Sequence, residues 1–375
     1  MFDPRRLLQG ENGLIEQAEW VALVPPQSVE VHLTSMEMAA AEAIGRDVWK
    51  PMDEVARAVG EDQVHSLLAK GVLVQQGTSQ GVRDELMRGS NWHPLAALSH
   101  ALSRWSHTDS AAALREARLH SVEDMIAASG PPPPHYHHRA DALSRAALPR
   151  PNSNDLDVLM ARRATCRNFD VAEQLALADL GALMHRAFGV QASEELAPGA
   201  VALKKNHPSG GGLHPLEAYL IVQRVAGLLP GVYHYNSETH AVDLLRETPL
   251  EAARALALTA VAGQEYFADA PVMVVIAARF ARSFWKYRNH PKIYRAILLE
   301  TGHASQNLYL AATELGLGAF VTAAINEVEI EQAFDLDPMQ EGVLAVCGFG
   351  ARLPHKTTVE LDPRHAVWDE DGRLR

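Results

Sequence analysis

The chain has 375 residues, 47% of them hydrophobic and 21% charged, an ordinary globular composition with length for two domains or one large one. Its 46 acidic residues outweigh 34 basic ones, for a net charge of −12. That argues against a general nucleic-acid binder, whose affinity comes from basic surface. Two cysteines, Cys166 and Cys347, require no disulfide framework and fit a reducing compartment. No apolar signal core opens the chain and no apolar run reaches membrane-spanning length, so a soluble cytoplasmic protein is expected.

In chain order, residues 29–33 read as a strand. A Thr34 or Ser35 cap then opens an Ala-rich helix to Ile44, because a hydroxyl satisfies free backbone donors. Residues 51–60 read as a short helix stopped by glycine, 61–70 as a second helix and 72–74 as a strand, a winged-helix-like order. Residues 84–127 look helical, with Trp92 and Trp105 as packing anchors. Four consecutive prolines at 131–134 forbid helix and central strand, and a second loose patch covers 149–154. The expected organisation is an N-terminal module at 1–129, a linker or arm at 130–154 and a C-terminal module at 155–375.

The C-terminal module alternates helix and strand. Residues 175–188 have the apolar spacing of an amphipathic helix. Residues 217–225, 231–235 and 241–245 read as a meander. The apolar run at 272–278 predicts a strand buried on both faces, as does 343–347. Residues 293–315 predict a long helix, apolar nearly all round, that must lie in a core or a dimer interface.

Four places could carry chemistry. Arg162, Arg163 and Arg167 bracket the hydroxyl of Thr165, a set suited to phosphate or carboxylate oxygens; the plainer alternative is a basic helix end complementing the dipole. Pro208-Ser209-Gly210-Gly211-Gly212-Leu213-His214 has the backbone freedom to approach a ligand closely, and matches neither a Walker loop nor the dinucleotide fingerprint. A flexible hairpin loop would look the same. In Phe284-Trp285-Lys286-Tyr287-Arg288, a lysine beside a phenol can make it a usable acid or base; alternatively Trp285 and Tyr287 merely pack. Among 18 histidines, His135, His137 and His138 resemble a metal tract by composition alone, with no ligand-spaced partner. His303 reads as a core or interface residue, and no metal is expected.

Together these segments, over about residues 155–360, resemble the flavin-dependent nitroreductase superfamily, and within it the SagB-type dehydrogenases of peptide maturation. Arg163, Thr165, Arg167 and Phe169 fill the Arg-x-Ser-x-(Lys/Arg)-x-Phe segment that holds the flavin phosphate and ribityl chain. Pro208, Ser209 and Gly210 look like the Pro-Ser loop that lies over the flavin ring from the partner subunit. Gly212, His214 and Leu216 stand where plain nitroreductases place Asn, Gln and Trp. Lys286-Tyr287 matches the branch's Lys-Tyr pair, as do Tyr294-Arg295 and the segment Glu300-Thr301-Gly302-His303. Ala323 and Ala324 look like the segment offering a backbone N–H to the flavin N5, although the usual Glu-Gly is absent. Lys356, in the basic stretch from Arg352, resembles a C-terminal phosphate clamp without its Lys-x-Arg form.

The resemblance implies an α+β fold with a central, mostly antiparallel sheet, and an intertwined homodimer binding FMN at its interface. It also implies oxidation of thiazoline or oxazoline rings to azoles in a modified precursor peptide, with a cyclodehydratase as partner. Tyr287 would be the base, Lys286 would hold its phenolate or bind the substrate, and the N-terminal module would either bind a leader peptide or only complete the dimer. Two other readings stay open: an NAD(P)H-dependent reductase of nitro compounds or dehydroamino acids, and a flavin-free peptide-binding scaffold.

Overall fold

The computed structural model describes residues 20–375, apart from 46, 47 and 120. The chain divides into two compact units. One comprises residues up to Arg104 together with Arg279–Arg295 and Asp337–Gly342; the other comprises Trp105–Ala278, Ala296–Leu336 and Val343–Arg375.

The first unit opens with an antiparallel hairpin, β1 (Trp20–Val24) and β2 (Val29–Leu33). The helix Ser35–Ile44 follows, and Thr34 is its cap. Its hydroxyl accepts from the Glu37 N–H while Glu37 returns a bond to the Thr34 N–H, a reciprocal pair that fixes where the helix starts. Helices Met52–Val59 and Glu61–Ala69 come next, and Leu33, Ala40 and Leu67 form the small core. Glu37 is buried yet ionised: the Lys70 ammonium lies 2.7 Å away and the Ser66 hydroxyl donates at 2.5 Å. The expected strand at 72–74 does not form. The N–H groups of Val72 and Leu73 turn back to the Leu67 carbonyl, so this stretch closes a helix end. The sheet element of this unit lies before its helices, which leaves the winged-helix order incomplete. An apolar groove of about 540 Å³, lined by Ala22, Val24, Trp49, Val55, Val64 and Leu68, runs beside the hairpin.

Helices Ser79–Gly89 and Pro94–Leu102 complete the N-terminal part of this unit. Trp92 is buried against Phe280 and Phe284, with ring centres 4.6 Å away in each case, and donates its indole N–H to the Met339 carbonyl. Trp92 is therefore the anchor expected. Trp105 is not, being 39% exposed; the helices around it are short and its neighbours Ser106 and His107 are exposed.

The second unit is built on a six-stranded sheet. Its strands are β5 (Leu216–Val222), β6 (Gly231–Asn236), β7 (Ala241–Glu247), β8 (Val272–Arg279), β9 (Gly318–Thr322) and β10 (Glu341–Gly350), preceded in the chain by a separate hairpin of β3 (Val190–Ala197) and β4 (Ala200–Lys205). The order is β7-β6-β5-β8-β10-β9, and the pairs β5/β6, β5/β8, β6/β7 and β9/β10 are antiparallel. This is the α+β architecture expected. The run from Val272 to Ala278 is fully buried on both faces, and each Val, Met or Ile side chain in it contributes about 1.5–3 kcal/mol. Helices Leu250–Ala260 and Glu327–Phe334 cover one face through Ala257, Ala260, Ile330 and Phe334.

Gly318 lets β9 approach Cys166, since a Cβ there would lie 2.5 Å from its sulfur. Both cysteines are free and buried. Burial pushes the Cys166 thiol up to about 12, and pushes Cys347 up as well. The long helix runs Lys292–Glu314. Its outer stripe is less apolar than expected: Leu298 and Leu299 are exposed, but so are Gly302, His303 and Gln306. Residues 130–154 are exposed and lack helix or strand. Among the described residues, no helix is long and apolar enough to cross a membrane.

Candidate functional site

The arginine segment is extended and lies beside β9. Thr165 bridges Ala319, and the Cys166 N–H donates to the Ala319 carbonyl at 2.8 Å. Extended backbone sends alternate side chains to opposite faces. Ala164, Cys166 and Asn168 accordingly point inward, while Arg163, Thr165 and Arg167 stand half-buried on the other face. The three guanidinium groups part company. Arg162 is exposed at the end of helix Asp155–Arg162, in a shallow groove with Arg150 and Arg364. Arg163 sits 5.3 Å from the centre of the Tyr309 ring, and Arg167 sits 5.5 Å from that of Tyr266.

Tyr309, on the long helix, was not singled out from sequence and holds this corner together. Its hydroxyl lies 2.9 Å from the Thr165 hydroxyl and accepts from the Val321 N–H at 3.1 Å. Burial raises its pKa, only partly offset by these bonds, so it stays a neutral phenol that can pass a hydrogen bond to Thr165. Ala323 and Ala324 follow directly on β9. The Ala324 N–H is already given to the Thr322 hydroxyl at 3.1 Å, and its carbonyl accepts from Gln264; Ala323 is exposed. Arg163 has no carboxylate partner among the described residues, so its charge is available to an anion. A cation, a hydroxyl and an exposed turn along one strand edge fit a phosphate carried on a polyol.

Lys356 is exposed. The buried base in that stretch is Arg352, committed to Glu360 at 2.6 Å and to the Ala164 carbonyl at 3.1 Å. Of the two, only Lys356 has its charge at the surface.

The glycine loop makes a tight turn at Gly210–Gly212. Gly211 and Gly212 have φ of 73° and 71°, a region that favours glycine, and nothing lies within 4 Å of where a Gly212 Cβ would be. Backbone conformation therefore demands this glycine, and the space above it is open. Ser209 braces the turn: its hydroxyl accepts from the His214 N–H at 2.8 Å. Pro208 is exposed at the tip.

Under the loop lies a cluster the sequence reading missed. His207 and His214 flank the loop, and Glu300 comes from the long helix; all three are buried. His207 Nε2 is 3.4 Å from Glu300 Oε1, and His214 Nδ1 is 3.6 Å from the same oxygen. The available signal was Glu300 itself, a charge in the otherwise apolar stripe of Ile297, Ala304 and Leu308.

Lys286 and Tyr287 belong to the first unit. They end the helix Phe280–Lys286, whose core contacts come from Phe280 and Phe284. The packing alternative does not hold for Trp285, which is 63% exposed. The Lys286 ammonium lies 5.5 Å from the Tyr287 ring centre, a cation–π distance.

Residues 160–351 match the nitroreductase family. The chain belongs to that family. A protein of Methanocaldococcus jannaschii named as a nitroreductase is 35% identical over 176 residues, covering 47% of this chain and 81% of the relative. The trifolitoxin-processing protein TfxB of Rhizobium leguminosarum bv. trifolii is 33% identical over 144 residues, 38% of each chain. A chain of the E. coli microcin synthetase McbBCD complex with truncated pro-MccB17 bound has a TM-score of 0.50 at 21% identity, covering 72% of this nitroreductase-family chain and 97% of that one. At that identity the likeness is one of fold. TfxB carries the resemblance to the peptide-maturation branch at the level of sequence.

Proposed function

We propose that this nitroreductase-family chain is an FMN-dependent oxidoreductase of ribosomal peptide maturation, oxidising thiazoline or oxazoline rings to azoles. The observation that carries the flavin is the half-buried face of Arg163, Thr165 and Arg167 along β9, closed by Tyr309. Arg163 and exposed Lys356 would neutralise the phosphate, and Thr165 would bond the ribityl chain. The Ala323 N–H would meet the ring, and Pro208, Ser209, Gly210 and Gly212 would lie against it from a second copy of the chain. Along the long helix, Glu300 beside that loop and Tyr309 beside Thr165 are nine residues apart, about 14 Å at helical rise. That spacing is in keeping with a site completed by two subunits. Exposed Leu298 and Leu299 are apolar surface that a homodimer would cover.

Bound FMN would supply an acceptor for two electrons and leave position and charge to the protein. Tyr287 would act as the base that takes the ring proton, with the Lys286 ammonium beside its ring. The apolar groove beside β1 and β2 would take the leader of the precursor peptide, delivered by a cyclodehydratase. One finding favours a second reading: the M. jannaschii relative is named as a nitroreductase, and the same cradle serves a flavin reduced by NAD(P)H. Absorbance of freshly purified protein, followed by release and identification of its chromophore, tests the proposal. A stoichiometric flavin spectrum with FMN released is expected. A colourless protein that takes up no FMN would overturn it in favour of a peptide-binding scaffold.

A further inference from the structure

We propose that His207, His214 and Glu300 form a binding site for one divalent transition-metal ion, zinc by its donor set, that pins the glycine loop to the long helix. His207 Nδ1 lies 3.0 Å from the Ala187 carbonyl, which can only accept, so the ring proton sits on Nδ1. In the neutral ring, Nε2 then carries a lone pair, and that lone pair faces Glu300 Oε1. His214 Nδ1 faces the same oxygen. The three atoms lie within 4.8 Å of one another, and none of them has a hydrogen-bond partner among the described residues.

Exposure of the three side chains is 1%, 6% and 2%, so bulk solvent does not reach them. Three buried donor atoms gathered together without a hydrogen bond is a costly arrangement. A cation among them satisfies all three at once. The spacing suits it: ligands about 2.0–2.1 Å from a tetrahedral zinc stand about 3.3–3.4 Å apart, against the 3.4 and 3.6 Å found here. Two imidazoles and a carboxylate are a zinc-type set, unlike the all-oxygen sets of magnesium and calcium. An outer partner agrees. The Ala187 carbonyl takes the other ring N–H of His207, the pattern by which protein groups orient ligands around a metal.

The ion would join His207 before the turn, His214 after it and Glu300 on the helix, closing the loop that runs through Ser209 to Leu213. This inference stands apart from the flavin reading, since none of its three ligands is assigned to the flavin.

Untagged full-length protein, stripped with EDTA, re-exposed to zinc and desalted, should retain about one zinc per chain by elemental mass spectrometry. Glu300→Gln and His214→Ala should each lose it. The triple variant His135→Ala, His137→Ala, His138→Ala, which removes the exposed tract beside the prolines, should keep it. Zinc-edge X-ray absorption of the wild-type protein provides a readout that needs no variant to fold, and should show imidazole back-scattering from two histidines. Wild-type protein that retains less than about a tenth of an equivalent would overturn the proposal. So would a folded Glu300→Gln chain that holds as much zinc as the wild type, or an absorption edge with an all-oxygen shell.

Discussion

Arg352 donates to Glu360 at 2.6 Å with both side chains buried, and this pair ties the C-terminal tail to the arginine segment. Arg352 also donates to the Ala164 carbonyl, and Glu360 accepts from the Arg167 N–H at 2.6 Å, from Asn168 at 2.7 Å and from the Trp368 indole at 2.9 Å. The residues between and just after Arg163 and Thr165 are thus held by the tail.

Glu360→Ala leaves a buried guanidinium unpaired, which costs about 3–5 kcal/mol. Denaturant unfolding should show that loss, with a shifted Trp368 emission in the folded state. Burial alone would raise the Glu360 pKa, but Arg352 and the other donors hold it below the usual carboxylate value. A lowered folded pKa means stability that is present above the ordinary carboxylate pKa and lost as pH falls through the folded one. The difference between wild type and Glu360→Gln should therefore shrink in acid. An unchanged midpoint at neutral pH would contradict the role given to this pair.

Arg163→Gln removes the cation assigned to the phosphate, and Thr165→Val removes a hydroxyl that Tyr309 orients. A charge-assisted bond contributes about 1.5–3 kcal/mol, so FMN affinity should fall about 10- to 100-fold in Arg163→Gln, and by less in Thr165→Val. Titration of the apo chains with FMN, followed by quenching of flavin fluorescence, measures both. Equal affinity in wild type and Arg163→Gln would remove Arg163 from the site.

Tyr287→Phe should purify with the same flavin content and lose azole formation about 10²- to 10⁴-fold, the usual worth of a positioned general base. Mass spectrometry of a ring-bearing peptide follows the loss of two hydrogens directly. A variant that oxidises at the wild-type rate would sink the base assignment while leaving the flavin reading untouched.

Glu37 predicts an acid limit for the first unit. Its bond with Lys70, then those with Ser66 and Thr34, lower its pKa from 4.5 to about 2. The stabilisation is complete above pH 4.5 and declines as pH falls toward about 2, since the unfolded chain takes up the proton first. Glu37→Gln should flatten that decline in a series of unfolding curves from pH 5 to pH 2. Parallel curves for the two proteins would exclude Glu37 as the cause.

What the sequence revealed follows from burial. The run from Val272 to Ala278 announces a doubly buried strand because no polar residue interrupts it, and the glycine turn is legible because only glycine accepts its backbone angles. The hairpin of β3 and β4 left no such mark: seven of the eight residues of β3 are exposed, so no apolar alternation marks a face. Val72 to Val74 has strand composition, but capping of the Leu67 carbonyl decides its path. Arg163 and Thr165 were legible because extended backbone keeps alternate residues together. His207, His214 and Glu300 were not, because two loop positions and a helix position meet only once the fold is made.

Burial of both cysteines bears on how this protein ages. Peroxide attacks thiolates, and with Cys166 held at about 12 and Cys347 pushed up as well, neither forms one at neutral pH. If the proposed flavin site passed electrons to dioxygen, the peroxide released would find no thiolate there to spoil. The record of its turnovers would instead be written on surface thioethers such as Met36 and Met160, which are 67% and 51% exposed and accumulate sulfoxide without touching the sheet.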